Sequence, residues 1–309
     1  QLPLSKEYLK VEIDNIIRLC NEIQRRVFSG DSIVLMPDEL KRHNKETLNG
    51  LELPPEVSPG EYRQHDVTVG RYSGAPWEDV PFLISKFTNW INAEFVPPQG
   101  QELVHGILKA IIAHLYIAWI HPFGDGNGRT ARLVELEILL SVGVPAIAAH
   151  LLSNHYNQTR NEYYRQLEAS HHSNGDVLPF VQYALQGMVD GLREQIHVIR
   201  EQQFFVHWVD FVHEMFRSKK DSPANIRRQR LVIDLSKCEG PVPRSGIRTI
   251  SPQIAVEYSG KTEKTVKRDL NFLADMGMIV EGPKGYRSRA ELMTAFLPIK
   301  RDAADEREE

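Results

Sequence analysis

A mainly α fold, a helical domain with a small β-hairpin followed by a winged helix-turn-helix domain, is what three features of this 309-residue sequence predict. Apolar residues recur every three to four positions through most of the first 217 residues, the period of helices with one buried face. Alternation of the β type is confined to two short stretches, residues 62–72 and 278–287. Charge also changes sign along the chain: residues 1–216 hold 18 Lys+Arg against 27 Asp+Glu (net −9), residues 217–301 hold 18 against 9 (net +9), and residues 302–309 hold 1 against 5 (net −4). An acidic body with a basic C-terminal module reads as two functions on one chain.

Composition narrows the class. With 41% apolar and 25% charged residues, the chain can bury a core, which excludes disorder as its dominant state. The apolar run at residues 110–120 is interrupted by His114 and is shorter than the ~20 residues of a membrane span. No basic stretch followed by an apolar one opens the chain, so neither a signal peptide nor a membrane partner is expected. Cys20 and Cys238 lie far apart without metal-ligand spacing and read as free thiols of a reducing, cytoplasmic compartment.

The elements follow in order. An N-terminal helical region, residues 1–59, opens with Leu9, Ile13, Ile16, Ile17, Cys20 and Ile23 at helical spacing over residues 6–28. A turn-rich connector with one short helix continues to residue 60. Residues 62–72 are the β candidate of the first half, closed by a turn at Ser73-Gly74-Ala75-Pro76. Helical periods return over 79–94 and over 102–119, the latter apolar almost all round and hence a central buried helix. A helix over 127–142 stops at Gly143 with Pro145 beyond it. Ser153 is positioned to cap a helix reaching 169, and Asp176 a long one from 177 toward 217. In the last module, helices over 225–236, 252–258 and 262–276 precede a strand-loop-strand over 278–287. That is the order of a winged helix over residues 217–301, with 302–309 an acidic, solvated tail.

One segment carries chemistry: His121-Pro122-Phe123-Gly124-Asp125-Gly126-Asn127-Gly128-Arg129-Thr130-Ala131-Arg132. Two glycines flank Asn127 where a loop enters a helix, so successive backbone N–H groups can converge on one anion at the positive end of the helix. Arg129 and Arg132, three apart, share a face of the first turn and can reach one polyphosphate. A carboxylate in a phosphate cradle, Asp125, makes electrostatic sense with a divalent cation between it and the phosphates. His121, at the end of a buried helix, is held as a general base needs to be. There is no Gly-Lys-Ser/Thr, so this is not a Walker loop. It also follows a helix and not a strand, which separates it from dinucleotide-binding turns.

The segment resembles the Fic family signature, H-x-F-x-[D/E]-G-N-G-R-x-x-R, at every defined position. The resemblance extends over about residues 60–191, through Gly60-Glu61-Tyr62-Arg63 and Val67-Thr68-Val69-Gly70 before the signature, and Leu152-Ser153, Arg160, Tyr163-Tyr164 and Leu167 after it. It implies a helical Fic domain over residues 60–216 that transfers AMP from ATP, with Mg2+, to a Ser, Thr or Tyr hydroxyl of a target protein. His121 would deprotonate the hydroxyl and Asp125 would hold the metal. Gly126, Asn127 and Gly128, with Thr130 and Ala131 behind them, would form the nucleotide-binding turn, while Arg129 and Arg132 hold the distal phosphates. Val69, Gly70, Arg71 and Tyr72 would lie in the flap that aligns target and nucleotide, and Tyr163 and Tyr164 would line the base or ribose pocket, although tyrosines so spaced also serve as core residues. Gly128 stands where the family's kinase-like branch carries Lys. The family's inhibitory [S/T]-x-x-x-E-[G/N] hexapeptide, whose Glu pairs with the second motif arginine, occurs nowhere in the chain; it lies upstream of Gln1, is supplied by a partner, or is absent.

In the C-terminal module, Lys264, Lys267 and Arg268 fall at i, i+3 and i+4 on one helix face, opposite Val266, Leu270 and Leu273. With Lys284, Arg287 and Arg289 on the wing, they make duplex DNA the expected partner; the alternative is a protein-docking module whose charges are merely solvated. A rival reading of the whole chain is a DNA-binding transcriptional regulator whose Fic domain only senses nucleotide. Sensing would need no base, so His121 favours the enzyme. A homo-oligomer is left open.

Overall fold

The structure is a computed structural model that describes residues 4–30, 34–69, 72–172 and 175–296. The chain divides into two compact units, Gln1–Glu194 and Gln195–Glu309.

The first unit contains α1 (Leu4–Phe28), α2 (Pro37–Thr47), the strands β1 (Thr68–Val69) and β2 (Tyr72–Ser73), α3 (Val80–Glu94), α4 (Glu102–Ile120), α5 (Asn127–Ser141), α6 (Ala146–Ala149), α7 (Leu151–Gln158), α8 (Arg160–His172) and the first half of α9 (Leu178–Arg217). The centre of its core is the α4–α5 pair, against which α1, α2, α3 and α8 pack. Helix α4 is, among the described residues, the one helix long and apolar enough to cross a membrane by length and composition, which the interrupted run at 110–120 did not suggest. Here its Ala110, Ile111, Ala113, Leu115 and Ile117 are fully buried, and His114 is buried with them. In α5 the burial is nearly continuous from Thr130 to Leu140, so this helix is enclosed on most sides.

Two local expectations change. Residues 62–72 do not form one strand: pairing is limited to Thr68 with Ser73 and Val69 with Tyr72, and Tyr62 makes an isolated bridge to Phe123. The Arg63 side chain explains the shortness, since it takes the carbonyls of His65 and Ala75 that a longer ladder would have used. The helix expected over 153–169 is likewise two helices. Ser153 sits inside α7, and the break falls at Thr159 (φ −109°, ψ 38°), whose hydroxyl is tied to His155 O (2.7 Å) and to the Tyr183 hydroxyl (2.6 Å). Asp176 lies one residue before the N-cap of the long helix, Val177, and accepts from Leu178 N–H at 3.0 Å, a turn that leads into the helix.

The second unit holds the rest of α9, then α10 (Pro223–Leu235), α11 (Pro252–Glu257), α12 (Glu263–Asp275) and an antiparallel hairpin of β3 (Ile279–Gly282) and β4 (Gly285–Ser288). Trp208, Val212 and Phe216 of α9 belong to its core with Leu231, Ile254, Leu270 and Met278. A buried ion cluster fixes α10 to α12: Asp269 accepts from Arg227 Nη2 (2.7 Å), Arg228 Nε (2.7 Å) and the Tyr258 hydroxyl (3.2 Å). With Arg227 Nε (2.9 Å) as a fourth, these donors satisfy a carboxylate that burial would otherwise penalise heavily.

Candidate active site

The motif sits where α4 ends and α5 begins. Helix α4 closes on His121, whose backbone is left-handed (φ 50°, ψ 61°), the one positive-φ non-glycine residue among those described. A side chain in that region costs roughly 1–2 kcal/mol, so something must hold it there. Arg63 does. Its buried guanidinium donates from Nε to His121 O (2.7 Å), from Nη1 to His65 O (2.7 Å), and from Nη2 to Ile120 O (3.3 Å) and to Ala75 O. The end of α4 and the β2 turn are thereby fastened to one side chain.

The imidazole is equally determined. His121 Nδ1 lies 3.2 Å from Ala118 O. A carbonyl only accepts, so Nδ1 carries the proton and Nε2 keeps its lone pair. Burial pushes the ring's pKa down to about 4; the Ala118 hydrogen bond and Asp125 oppose this, while the Arg63 charge adds to it. At neutral pH the ring is therefore an uncharged base with a defined tautomer.

The loop between the helices is closed on itself by Asn127. Its Oδ1 accepts from Phe123 N–H (2.8 Å) and its Nδ2 donates to Phe123 O (2.7 Å). Each end of this buried amide is engaged in closing the loop, so Asn127 holds the turn that aims its backbone at a ligand. Asn44 of α2 clamps the other side, donating to Asp125 O (2.8 Å) and accepting from Gly60 N–H (2.9 Å). Gly126 needs to be glycine on two counts: its φ is +81°, and a Cβ there would lie 2.8 Å from Asn44 Nδ2. The first hydrogen bond of α5 runs from Thr130 N–H to Gly126 O (2.9 Å). The N–H groups of Asn127, Gly128 and Arg129 therefore stand at the helix mouth, where an anion is stabilised.

A cavity of about 610 Å³ opens in front of that mouth, lined by His121, Asp125, Gly126, Asn127, Gly128, Arg129, Arg132, Tyr163 and Tyr164, with Arg160 and Asn157 beside them. The structure thus brings most of the expected nucleotide-binding residues together. Thr130 and Ala131 are the correction: both are fully buried in the core and do not reach the cavity. At about 100° per residue, positions 129 and 132 share the cavity face, which sends 130 and 131 to the packed one. Tyr163 combines the two roles weighed for it, lining the cavity while its hydroxyl meets the buried His114 Nε2 at 2.9 Å. Tyr164 is more exposed and carries Arg160 over its ring at 5.8 Å. Val69 and Tyr72 pair in the hairpin; Gly70 and Arg71 lie outside the described residues.

The two arginines differ. Arg132 makes no ion pair among the described residues, whereas Arg129 Nη2 meets Asp125 Oδ1 (3.0 Å) and Nη1 meets Glu12 Oε1 of α1 (2.7 Å). Glu12, Asn44 and the anchoring role of Arg63 were not read from the sequence. Each acts across a long sequence separation, and an Asn in a short polar helix or a Glu on an amphipathic one carries no local signal of it.

Known proteins show the same segment. Residues 34–139 match the Fic/DOC family. A Culex quinquefasciatus protein named protein adenylyltransferase Fic is 35% identical over 127 residues, which cover 41% of this chain and 23% of that protein. Its Drosophila yakuba namesake is 33% identical over the same length. The chain thus spans about a quarter of the length of these relatives. Among solved structures, Fic-1 from C. elegans is 26% identical with a TM-score of 0.47, covering 62% of this chain and 51% of that one. A Fic family protein from Desulfovibrio desulfuricans G20 is 20% identical with a TM-score of 0.48, covering 93% and 81%. The match to the Fic/DOC family begins at residue 34, so it takes in α2 and its clamp on Asp125, and it contains every residue from His121 to Arg132.

Proposed function

We propose that the chain transfers AMP from ATP to a hydroxyl side chain of a target protein. The observation that carries this reading is His121: a neutral imidazole, its tautomer fixed by Ala118 O, beside a helix mouth that can hold a polyphosphate. In the reaction, the hydroxyl oxygen bonds to the α-phosphorus as its proton passes to Nε2, and the bond to the β-phosphate oxygen breaks to release pyrophosphate. The N–H groups of Asn127, Gly128 and Arg129 would stabilise the charge on the phosphates, and Arg132 would hold their distal end. Magnesium fits the donor set. Asp125 Oδ1 is taken by Gly126 N–H and Arg129, Oδ2 has no hydrogen bond among the described residues, and no cluster of three His, Cys, Asp or Glu occurs among them. One free carboxylate oxygen suits a hard cation that completes its shell with phosphate and water. Bound there, the ion would neutralise charge across the α- and β-phosphates. Incubating the protein and a lysate with α- or γ-labelled ATP tests the proposal. Label carried onto protein from the α position alone supports AMP transfer; label from γ would mean a kinase, and label from neither would leave a nucleotide sensor.

For the second unit we propose a winged helix that binds duplex DNA. Helices α11 and α12 followed by the β3–β4 hairpin have its order, and one observation favours DNA: Lys264, Lys267 and Arg268 are all exposed without ion pairs among the described residues, while Val266, Leu270 and Leu273 on the other face are fully buried. The wing is less free, since Arg287 and Arg289 both approach Glu291 (3.6 and 3.9 Å). Reversing the three α12 charges to Glu should abolish a mobility shift seen at ~50 mM salt; an unchanged shift would make this a protein-docking module.

A further inference from the structure

A second recess, of about 750 Å³, adjoins the motif. Helix α4 serves both: Ala118 faces the nucleotide cavity, while Tyr116, Trp119 and Ile120 face the second recess. Its far walls are the turn after β2, from Ser73 to Pro76, and Leu83, Phe87 and Trp90 of α3. The floor is a run of rings in contact, Phe87 on Tyr116 (centroids 5.5 Å apart), Tyr116 on Trp90 (5.2 Å) and Tyr116 on Trp119 (5.4 Å). Trp90 is 38% exposed, and Trp77 and Phe82 nearby are exposed as well. Solvent-facing aromatic rings in a concave site are the composition of a binding hot spot, and ordinary solubility disfavours them without a partner. Lys86 lies on the rim with no carboxylate paired to it among the described residues, its ammonium 5.5 Å from the centre of the Phe82 ring.

The recess adjoins the base. Gly74 lines it, and a Cβ built on Gly74 would lie 3.3 Å from His121 Cβ, so this wall of the recess runs directly beside the side chain of the base. We infer that this recess receives the acceptor segment of the target protein: an extended stretch with an aromatic or large aliphatic side chain within a few residues of the hydroxyl, and an acidic residue beside it to meet Lys86. The inference rests on the transfer reaction proposed above. A hydroxyl arriving at His121 does so on a chain, and at ~3.4 Å per residue two or three extended residues beyond it span roughly 7–10 Å, the scale on which a recess bordering the base comes within reach. No such adjacency favours a second copy of this protein, which would have to cover the rings without using the base.

The test uses fluorescent peptides with a central Ser, Thr or Tyr in an alanine background, through which one Phe or one Asp is walked along the flanking positions. Binding is read by anisotropy with the His121→Asn protein plus ATP and magnesium, and transfer is read separately with the parent and α-labelled ATP. Phe at one or two flanking positions should tighten binding about tenfold or more over the alanine peptide. Trp90→Ala should erase that gain and Trp90→Phe should keep it. Lys86→Glu, on an exposed side chain whose exchange does not disturb folding, should reverse the preference for Asp. No gain at any position, a gain that survives Trp90→Ala, or a dimer in sedimentation that Trp90→Ala disperses would each overturn the inference. The two readings fail separately: binding gain without labelled peptide refutes AMP transfer and keeps the recess as a peptide site, and labelled peptide without the gain does the reverse.

Discussion

The motif loop and the exposed face of α12 both present cationic side chains, and they are built in opposite ways. Around the loop almost every polar group is spoken for: Arg63 spans four carbonyls, Asn127 uses both ends of its amide, and Asn44 ties Asp125 to Gly60. On α12, Lys264, Lys267 and Arg268 project into solvent from a helix whose other face does all the packing. The difference matches what the two proposed functions would require. Chemistry on a phosphate needs groups fixed before the ligand arrives, because reorganisation would be added to the barrier. Holding a phosphate backbone needs only charge at roughly the right spacing, since most of the free energy comes from released counterions. A substitution should therefore act through geometry in the first region and through charge alone in the second.

The largest effect belongs to His121. Alanine would have to adopt φ 50° without a compensating polar side chain, so Asn, which tolerates the left-handed region, is the cleaner exchange. His121→Asn should lower AMP transfer by ~10²–10⁴-fold while ATP affinity and thermal stability stay near the parental values. Parental turnover in that variant would remove His121 from the chemistry. The pH dependence carries the same signature. Because the folded ring titrates near about 4, below the ordinary histidine value, the acid limb of kcat/KM for ATP should lie near pH 4 and not near 6.5. The unfolded chain binds the proton first as pH falls, so the His121 contribution to stability is complete above about pH 6.5 and is lost progressively toward about 4. His121→Asn should flatten that loss in acid unfolding curves.

Next in size is Arg63, which touches no ligand-facing atom and acts by holding the end of α4. Arg63→Lys keeps the charge but cannot span four carbonyls with one ammonium, leaving buried acceptors without donors. The expected cost is about 3 kcal/mol of stability, and kcat should fall ~10–100-fold with little change in KM for ATP. A rise in KM with kcat unchanged would show that Arg63 supports the phosphate cradle and not the base.

What the sequence made legible, and what it did not, divides along the same line. The helices with continuous apolar periods were placed to within a residue or two, α4 and α5 among them, because that pattern is local. The motif was legible because its His, Asp, glycines and arginines fall within twelve residues. Its supports were not, since Asn44 and Arg63 reach it from about 60 to 80 residues away. Thr130 and Ala131 fall in the core because contiguity is not proximity on a helix: the turn assigns residues three apart, 129 and 132, to the cavity and the two between them to the core. The hairpin was overextended because alternation at 62–72 says nothing of a buried guanidinium that claims the carbonyls. In the second unit the cationic face of α12 was legible and Asp269 was not, although it lies on the same helix, because its partners Arg227 and Arg228 come from α10.

The smallest effect, and the one that most sharpens the contrast, concerns Glu12. Arg129 is the one motif cation already occupied: Glu12 Oε1 lies 2.7 Å from its Nη1, and the Arg129 side chain is only 15% exposed. Within the preorganised loop this pair has two possible consequences of opposite sign. If the Glu12 carboxylate competes with phosphate oxygens for Arg129, ATP must displace it, and the pair weakens binding. If it holds the guanidinium in its binding rotamer, the pair strengthens binding. Competition is expected to win, because Asp125 Oδ1 at 3.0 Å already orients the other arm of Arg129, and a second carboxylate adds negative charge where the polyphosphate must sit. A partly exposed pair of this kind is worth about 1 kcal/mol, so Glu12→Gln, which preserves shape and removes charge, should lower KM for ATP roughly fivefold at unchanged kcat. The gain should shrink as salt rises, since screening already weakens the repulsion that the substitution removes. A KM that rises instead would assign Glu12 to the scaffold, with Asn44 and Arg63.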